Sequence, residues 1–173
     1  NQNWGLGRLI DELAKINELK FIRYTTSHPL DMDIELIRSH RDNKKLMPYL
    51  HLPAQSGSDK ILKMMNRQHT AKEYLKIIEK VRYYNPEIAI SGDFIVGFPG
   101  ENDDDFMGTM NVINEVRFDE SFSFIYSPRP NTSASDMEDN VTQDEKKERL
   151  NILQNRLNQL SYGFSTVSYT HLR

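Results

Sequence analysis

Apolar residues along this chain switch between strand-like and helix-like spacing, and the switches predict strands and helices in turn. Residues 6–16 carry Leu6, Leu9, Ile10, Leu13 and Ile16 at helical spacing and predict a helix with one apolar face. Residues 21–25 predict a strand running into Thr26-Ser27-His28-Pro29, where the proline stops the ladder. A short helix over 33–40 and a short strand over 49–52 follow, the strand ending at Pro53. Ser58 is placed to cap a helix over 59–65, and Thr70 with Glu73 makes a capping box for a helix over 71–83. Residues 88–96 are the strongest strand, almost wholly apolar after Asp93, as a strand covered on both faces would be. Gly97-Phe98-Pro99-Gly100 turns the chain into a helix over 103–116 carrying Phe106, Met110 and Ile113 on one side. A last strand covers 121–126. A loop rich in Pro, Ser, Asn and Asp leads to a helix that Thr142 and Glu145 cap, with Leu150, Leu153, Leu157 and Leu160 on one stripe.

Strand and helix thus alternate about four times, which implies right-handed βαβ units and a parallel sheet of the α/β class. Periodicity leaves a β/α barrel and a doubly wound sheet equally open. No internal repeat or low-complexity segment interrupts the pattern.

Composition narrows this only in places. A chain of 173 residues makes one domain or most of one, and 38% hydrophobic with 27% charged residues is ordinary for a soluble globular protein. The net charge of −3 gives no support to a general nucleic-acid-binding surface. The chain has no cysteine, which removes disulfides, thiolate metal sites and cysteine nucleophiles from its own chemistry. No apolar run approaches the ~20 residues of a membrane span. The opening Asn1-Gln2-Asn3-Trp4 lacks a signal-peptide pattern and an initiator Met, so the chain is expected to start mid-protein and to be cytoplasmic.

In parallel α/β folds, ligands bind at the carboxyl ends of the strands. Four polar or glycine-bearing clusters fall there: Thr25-Thr26-Ser27-His28, Gln55-Ser56-Gly57-Ser58, Gly97-Phe98-Pro99-Gly100-Glu101 and Ser127-Pro128-Arg129-Pro130. Each has two readings. The hydroxyls of Thr25 and Ser27 can reach a ribose or satisfy a turn. Gly57 and Ser58 can hold an anion at a helix start or simply cap it. Gly97 and Gly100 allow a ligand close to the backbone or only a turn with positive φ. Asp93 is a carboxylate inside an apolar strand, costly unless paired. His28 and His51 sit near strand ends, as metal ligands or as satisfied structural histidines. Arg129, held between two prolines, can meet a phosphate or an acidic side chain. Asp103-Asp104-Asp105 fits an acidic first helical turn and not a metal site.

Read as whole strings, Tyr24-Thr25-Thr26-Ser27-His28-Pro29, His51-Leu52-Pro53-Ala54-Gln55-Ser56-Gly57-Ser58-Asp59, Asp93-Phe94-Ile95-Val96-Gly97-Phe98-Pro99-Gly100-Glu101 and Tyr126-Ser127-Pro128-Arg129-Pro130 resemble the MiaB-type tRNA methylthiotransferases, in order and in spacing. The resemblance runs from residue 4 to about 165. It departs from the usual strings at Ala54, where valine is common, and at Asn131, where glycine is common. A sister family acting on a ribosomal protein shares the glycine-proline string but not Ser127-Pro128-Arg129-Pro130, so tRNA is the favoured target.

The resemblance implies the C-terminal half of a partial, TIM-like radical S-adenosylmethionine barrel. Such an enzyme uses a 4Fe–4S cluster on three cysteines to cleave S-adenosylmethionine, and the adenosyl radical takes hydrogen from C2 of an isopentenylated adenosine beside the anticodon. A second cluster delivers sulfur and a second S-adenosylmethionine the methyl group. A flavodoxin or ferredoxin is the implied reductant, and the intact enzyme is expected to be a monomer. Residues 1–140 would be the later β/α units, with the cluster domain and cysteine loop missing. Residues 141–166 would be a closing helix leading to an absent RNA-binding barrel. Residues 167–173, which back-translate into a sequencing adapter, are expected to be a non-native tail. Alone, the chain is expected to be inactive. Carried over by position, Thr25, Ser27, Gln55, Ser56, Asp93, Gly97, Phe98, Pro99 and Gly100 would contact the cofactor, and His28, His51 and Arg129 the substrate. The alternatives are a methylthiotransferase for a ribosomal protein, a nucleoside- or RNA-binding α/β module without catalysis, and a non-radical enzyme using His28, His51 and Asp93 for acid–base chemistry.

Overall fold

The structure, a computed structural model, describes residues 4–25, 28–130 and 132–170, with side chains as far as Ser161. Ser27 and Asn131, both singled out above, lie outside the described residues, as do 171–173 of the expected tail. In chain order the described elements are α1 (Leu6–Ala14), α2 (Ile34–Asp42), β1 (Tyr49–His51), α3 (Asp59–Met64), α4 (Ala71–Tyr84), β2 (Ala89–Val96), α5 (Asp103–Val116), β3 (Glu120–Ile125) and α6 (Gln143–Thr170). The three strands form one parallel sheet in the order β1-β2-β3. The class is α/β, and strands following one another in sequence with helices on one side are the arrangement of part of a β/α barrel.

Register sorts the two faces of the sheet. Leu50, Ile90, Phe94 and Val96 point one way and are fully buried with Tyr74 and Ile78 of α4, Ile113 of α5 and Leu153 of α6. Each such side chain contributes about 1.5–3 kcal/mol by leaving water. The opposite face carries His51, Ser91, Asp93 and Ile95, with Phe122 beside Asp93 and Phe124 beside Ile95 in the neighbouring strand. Phe122 and Phe124 remain about half exposed there.

Local chemistry sets the helix starts. Thr70 and Glu73 form the expected capping box of α4, and Ser58 accepts from the Ile61 amide at the head of α3. Thr142 and Glu145 exchange hydrogen bonds at the head of α6. Asn102 and Asp105 make a further capping box on α5.

Two expectations need correction. The arm 21–25 is not a strand: it pairs only at Ile22, through hydrogen bonds to Lys45 and Met47. Pro48 has no N–H and interrupts the line between that pairing and β1. In α1 the leucine stripe does not face the core. Ile10 is buried, whereas Leu6, Leu9, Leu13 and Ile16 are exposed. The helix turns its Gly7 side inward because only glycine lets it approach α2 so closely; a Cβ there would stand 2.6 Å from the Leu36 amide nitrogen.

Between arm and α2, the Tyr24 hydroxyl and His40 Nε2 lie 2.6 Å apart, and His40 Nδ1 is buried without a partner among the described residues. Burial pushes the His40 imidazolium down to about 4. Burial, followed by the field of Asp33, pushes the Tyr24 phenol up. Since the folded imidazole binds its proton less tightly than the unfolded one, its stabilising effect is complete above the ordinary value near 6.5. It is lost as pH falls from there toward 4, a loss of about 3 kcal/mol. His69 is lowered as well, mainly by burial, and acts in the same direction. Urea midpoints at ~pH 7.5 and ~pH 4.5 should separate more in the wild type than in His40→Gln, and equal separations would contradict this account. No helix among the described residues is long and apolar enough to cross a membrane.

Candidate functional site

A cavity of about 660 Å³ opens where β1, β2 and β3 end, and Gln55, Asp93, Ile95, Phe98, Phe124 and Tyr126 form much of its wall. This volume falls within the range of small-molecule sites.

Gln55 stands just beyond β1. Its amide donates to the Asp93 carbonyl at 2.8 Å and its carbonyl accepts from Ile95 at 2.9 Å, so it is stitched to β2 on both sides. Its φ of 69° is left-handed, a conformation that costs a residue with a Cβ roughly 1–2 kcal/mol. The residue lines the cavity, and no described residue hydrogen-bonds its side-chain carboxamide.

Asp93 leans on His51 from the neighbouring strand. His51 Nδ1 lies 2.8 Å from the hydroxyl of fully buried Ser91, and Nε2 lies 3.5 Å from the Asp93 carboxylate. The ring is thereby fixed between a hydroxyl and a carboxylate, and Asp93 is itself part of the cavity wall. This arrangement can accept a hydrogen bond from a bound amine or amide.

The Gly97-Phe98-Pro99-Gly100 turn contributes mainly Phe98, which meets Tyr126 edge-on with ring centres 4.8 Å apart. Gly97 and Gly100 have φ of 69° and 80°. Their amides are already taken, Gly97 by the Glu101 carboxylate at 2.9 Å and Gly100 by Asn140 at 2.9 Å. Pro99 is buried beside them and does not line the cavity. A Cβ on Gly97 would stand 2.3 Å from Cγ of Lys146, whose ammonium is buried against Asp139. Glu101 pairs with Arg149 at 3.0 Å. Burial pushes its carboxyl up, against the pull of the Gly97 amide and of Arg149. Lys146 and Arg149 of α6 thus clamp the turn from behind, a role invisible in local sequence.

The other sequence-selected residues lie elsewhere. Ser56 is buried, accepts from the Ser58 amide and faces the Thr109 hydroxyl at 3.3 Å. The Gly57 amide donates to Thr109, and the Ser58 hydroxyl donates to Asp105 at 2.6 Å while capping α3. Of the two readings of that loop, capping is the one observed. Thr25 is exposed and outside the cavity wall. His28 accepts from the Leu30 amide, and its ring meets His69 at 5.3 Å between centres. His28 and His51 therefore engage different partners. Arg129 does line the cavity, as does Arg67, which the sequence reading passed over.

An iron–sulfur cluster does not fit the residues present: the chain has no cysteine, and among the described residues no three His, Asp or Glu side chains are grouped to hold a metal. A nucleoside-sized ligand does fit, since the described wall residues offer aromatic rings, a carboxylate, the side-chain amide of Gln55 and the guanidinium groups of Arg67 and Arg129.

Residues 1–113 match the family described as the Radical SAM superfamily. A tRNA-2-methylthio-N(6)-dimethylallyladenosine synthase from Agrobacterium fabrum is 58% identical over 153 residues, which cover 88% of this chain and 34% of that protein. The chain spans about a third of the length of the curated relative it matches.

Proposed function

The chain belongs to the radical SAM superfamily, and from that premise we propose that it is part of an enzyme that methylthiolates C2 of N6-isopentenyladenosine beside the anticodon of tRNA. The 58% identity to a protein named for that product carries the reading. The cavity at the strand ends supports it by size and by chemistry. Gln55, Asp93 and Phe98 are assigned to S-adenosylmethionine, and His51 and Arg129 to the substrate nucleotide. S-adenosylmethionine, when bound, would supply the hydrogen-abstracting chemistry, and the residues named here would hold and orient it. Cluster thiolates must come from polypeptide outside these 173 residues, because none is present within them.

Within that scheme this chain binds, orients and shields. Phe98 and Tyr126 give a π surface for an adenine ring. Asp93, steadied by His51 and Ser91, accepts hydrogen bonds from amino groups. α6 holds the glycine turn against displacement and leads toward an RNA-binding barrel. A flavodoxin or ferredoxin delivers electrons, and the enzyme works as a cytoplasmic monomer.

Disrupting the gene and analysing tRNA hydrolysates by mass spectrometry tests the proposal. The expected result is loss of 2-methylthio-N6-dimethylallyladenosine with accumulation of its unthiolated precursor. Unchanged tRNA with loss of a methylthio group from a ribosomal protein would overturn it.

A further inference from the structure

Among the described residues, Arg67 and Arg129 are the two arginines with no hydrogen-bonding, ion-pair or ring partner for the guanidinium, and both line the same cavity. Elsewhere arginines are engaged: Arg41 with Asp42, Arg149 with Glu101 and Asp103, Arg156 with Asn114, Arg23 and Arg38 over the rings of Tyr49 and Tyr84. A shortage of acids does not explain the difference, since the chain carries 25 carboxylate side chains against 22 Lys and Arg. Among the described residues the cavity wall contains a single acid, Asp93, which already faces His51.

Both arginines stand on stiffened backbone. Asn66, with φ of 57°, ends α3 in the left-handed conformation, and the Arg67 amide donates back to the Leu62 carbonyl at 2.8 Å. Arg129 lies between Pro128 and Pro130, and its carbonyl accepts from the Thr132 hydroxyl at 2.8 Å. Little backbone freedom remains to be lost on binding. A guanidinium fork matches two oxygens of a phosphate, and Phe124, 56% exposed on the same wall, offers a face on which a base can stack.

We propose that Arg67 and Arg129 form a phosphate clamp at this cavity, gripping the sugar–phosphate backbone of a single-stranded RNA loop while its base enters. The inference rests on the reading of RNA as substrate and extends it to Arg67.

The test is fluorescence anisotropy with the full-length protein and a labelled RNA hairpin carrying N6-dimethylallyladenosine in its loop, titrated across a series of KCl concentrations. Arg67→Gln/Arg129→Gln should weaken binding about tenfold at low salt and reduce the slope of log K against log salt by about 1.4, roughly 0.7 per lost phosphate contact. Lysine at both positions should keep the slope while losing part of the affinity. Calorimetric affinity for S-adenosylmethionine alone should not change, and the thermal midpoint should hold, since neither side chain has a protein partner to lose. A double variant with an unchanged slope overturns the clamp and leaves the proposed substrate standing. Weakened S-adenosylmethionine binding with an intact slope also overturns it, assigning the guanidiniums to the carboxylate of that cofactor. A wild-type protein that binds no RNA overturns both.

Discussion

Replacing Arg149 by methionine should destabilise the fold by about 3–5 kcal/mol, because it leaves a buried carboxylate without its counter-charge. The Glu101 side chain is 1% exposed and its partner 9%, so neither ion recovers water when the other is removed. Asp103 also contacts Arg149 but is almost fully solvated and adds little. The loss should depend on pH in a definite sense. Burial already pushes the Glu101 carboxyl up, and without Arg149 it rises further. A carboxyl raised on folding adds stability below its unfolded pKa, and that stability disappears as pH climbs through the folded value. The variant's deficit should therefore be larger at ~pH 8 than at ~pH 5. Adding Glu101→Gln should recover much of the loss, since an amide oxygen can still accept from Gly97 and carries no charge. Urea denaturation of the four members of this cycle measures the coupling. A deficit that is independent of pH and untouched by the second substitution would mean that the pair is not what holds α6 to the glycine turn.

Gly57→Ala is the second large effect. The added Cβ would stand 2.2 Å from the carbonyl oxygen of Gly108 and 2.7 Å from Cα of Thr109. These are backbone atoms of α5, which cannot rotate aside as a side chain does. The loop and the helix must separate, breaking the 2.9 Å bond from the Gly57 amide to Thr109. A cost of about 3 kcal/mol or more follows, lowering the unfolding midpoint by roughly 6–12 °C in a chain of this size. The reverse substitution is a built-in control. A Cβ on Gly108 would lie 3.0 Å from the Gly57 carbonyl oxygen, and alanine gains about 1 kcal/mol in a helix interior. Calorimetry should place Gly108→Ala near the wild type and Gly57→Ala far below it. Equal midpoints for the two variants would remove close approach as the reason for glycine at 57.

The parts of this structure that were legible in the sequence are those decided within a few residues. Thr70 with Glu73, Thr142 with Glu145, and Ser58 cap the helices they precede because a hydroxyl reaches an amide three residues on. Gly97 and Gly100 read as a tight turn and take positive φ. Asp93 read as a carboxylate in need of a partner, and His51 stands beside it. What stayed hidden depends on contacts made across the chain. Leu6, Leu9 and Leu13 look like a core stripe, yet Gly7 decides which side of α1 meets α2. Residues 21–25 have strand composition but no continuous neighbour to pair with. Lys146 and Arg149 look like solvated charges on a long helix, and only folding brings them behind a turn far earlier in the chain, Arg149 meeting Glu101 across 48 residues. Arg67 carries no motif; it matters because its wall of the cavity also holds Arg129.

The sequential order of β1, β2 and β3 has a further implication. α4 packs beside α5, α5 beside α6, and α6 against β2 and β3, so the outer layer is assembled piecewise. A sheet of this kind grows by appending another strand and its helix at a free edge, without repacking what is already in place. Depth and curvature of the hollow are then set by how many units are joined, while the chemistry within it is set by side chains on alternate strand positions.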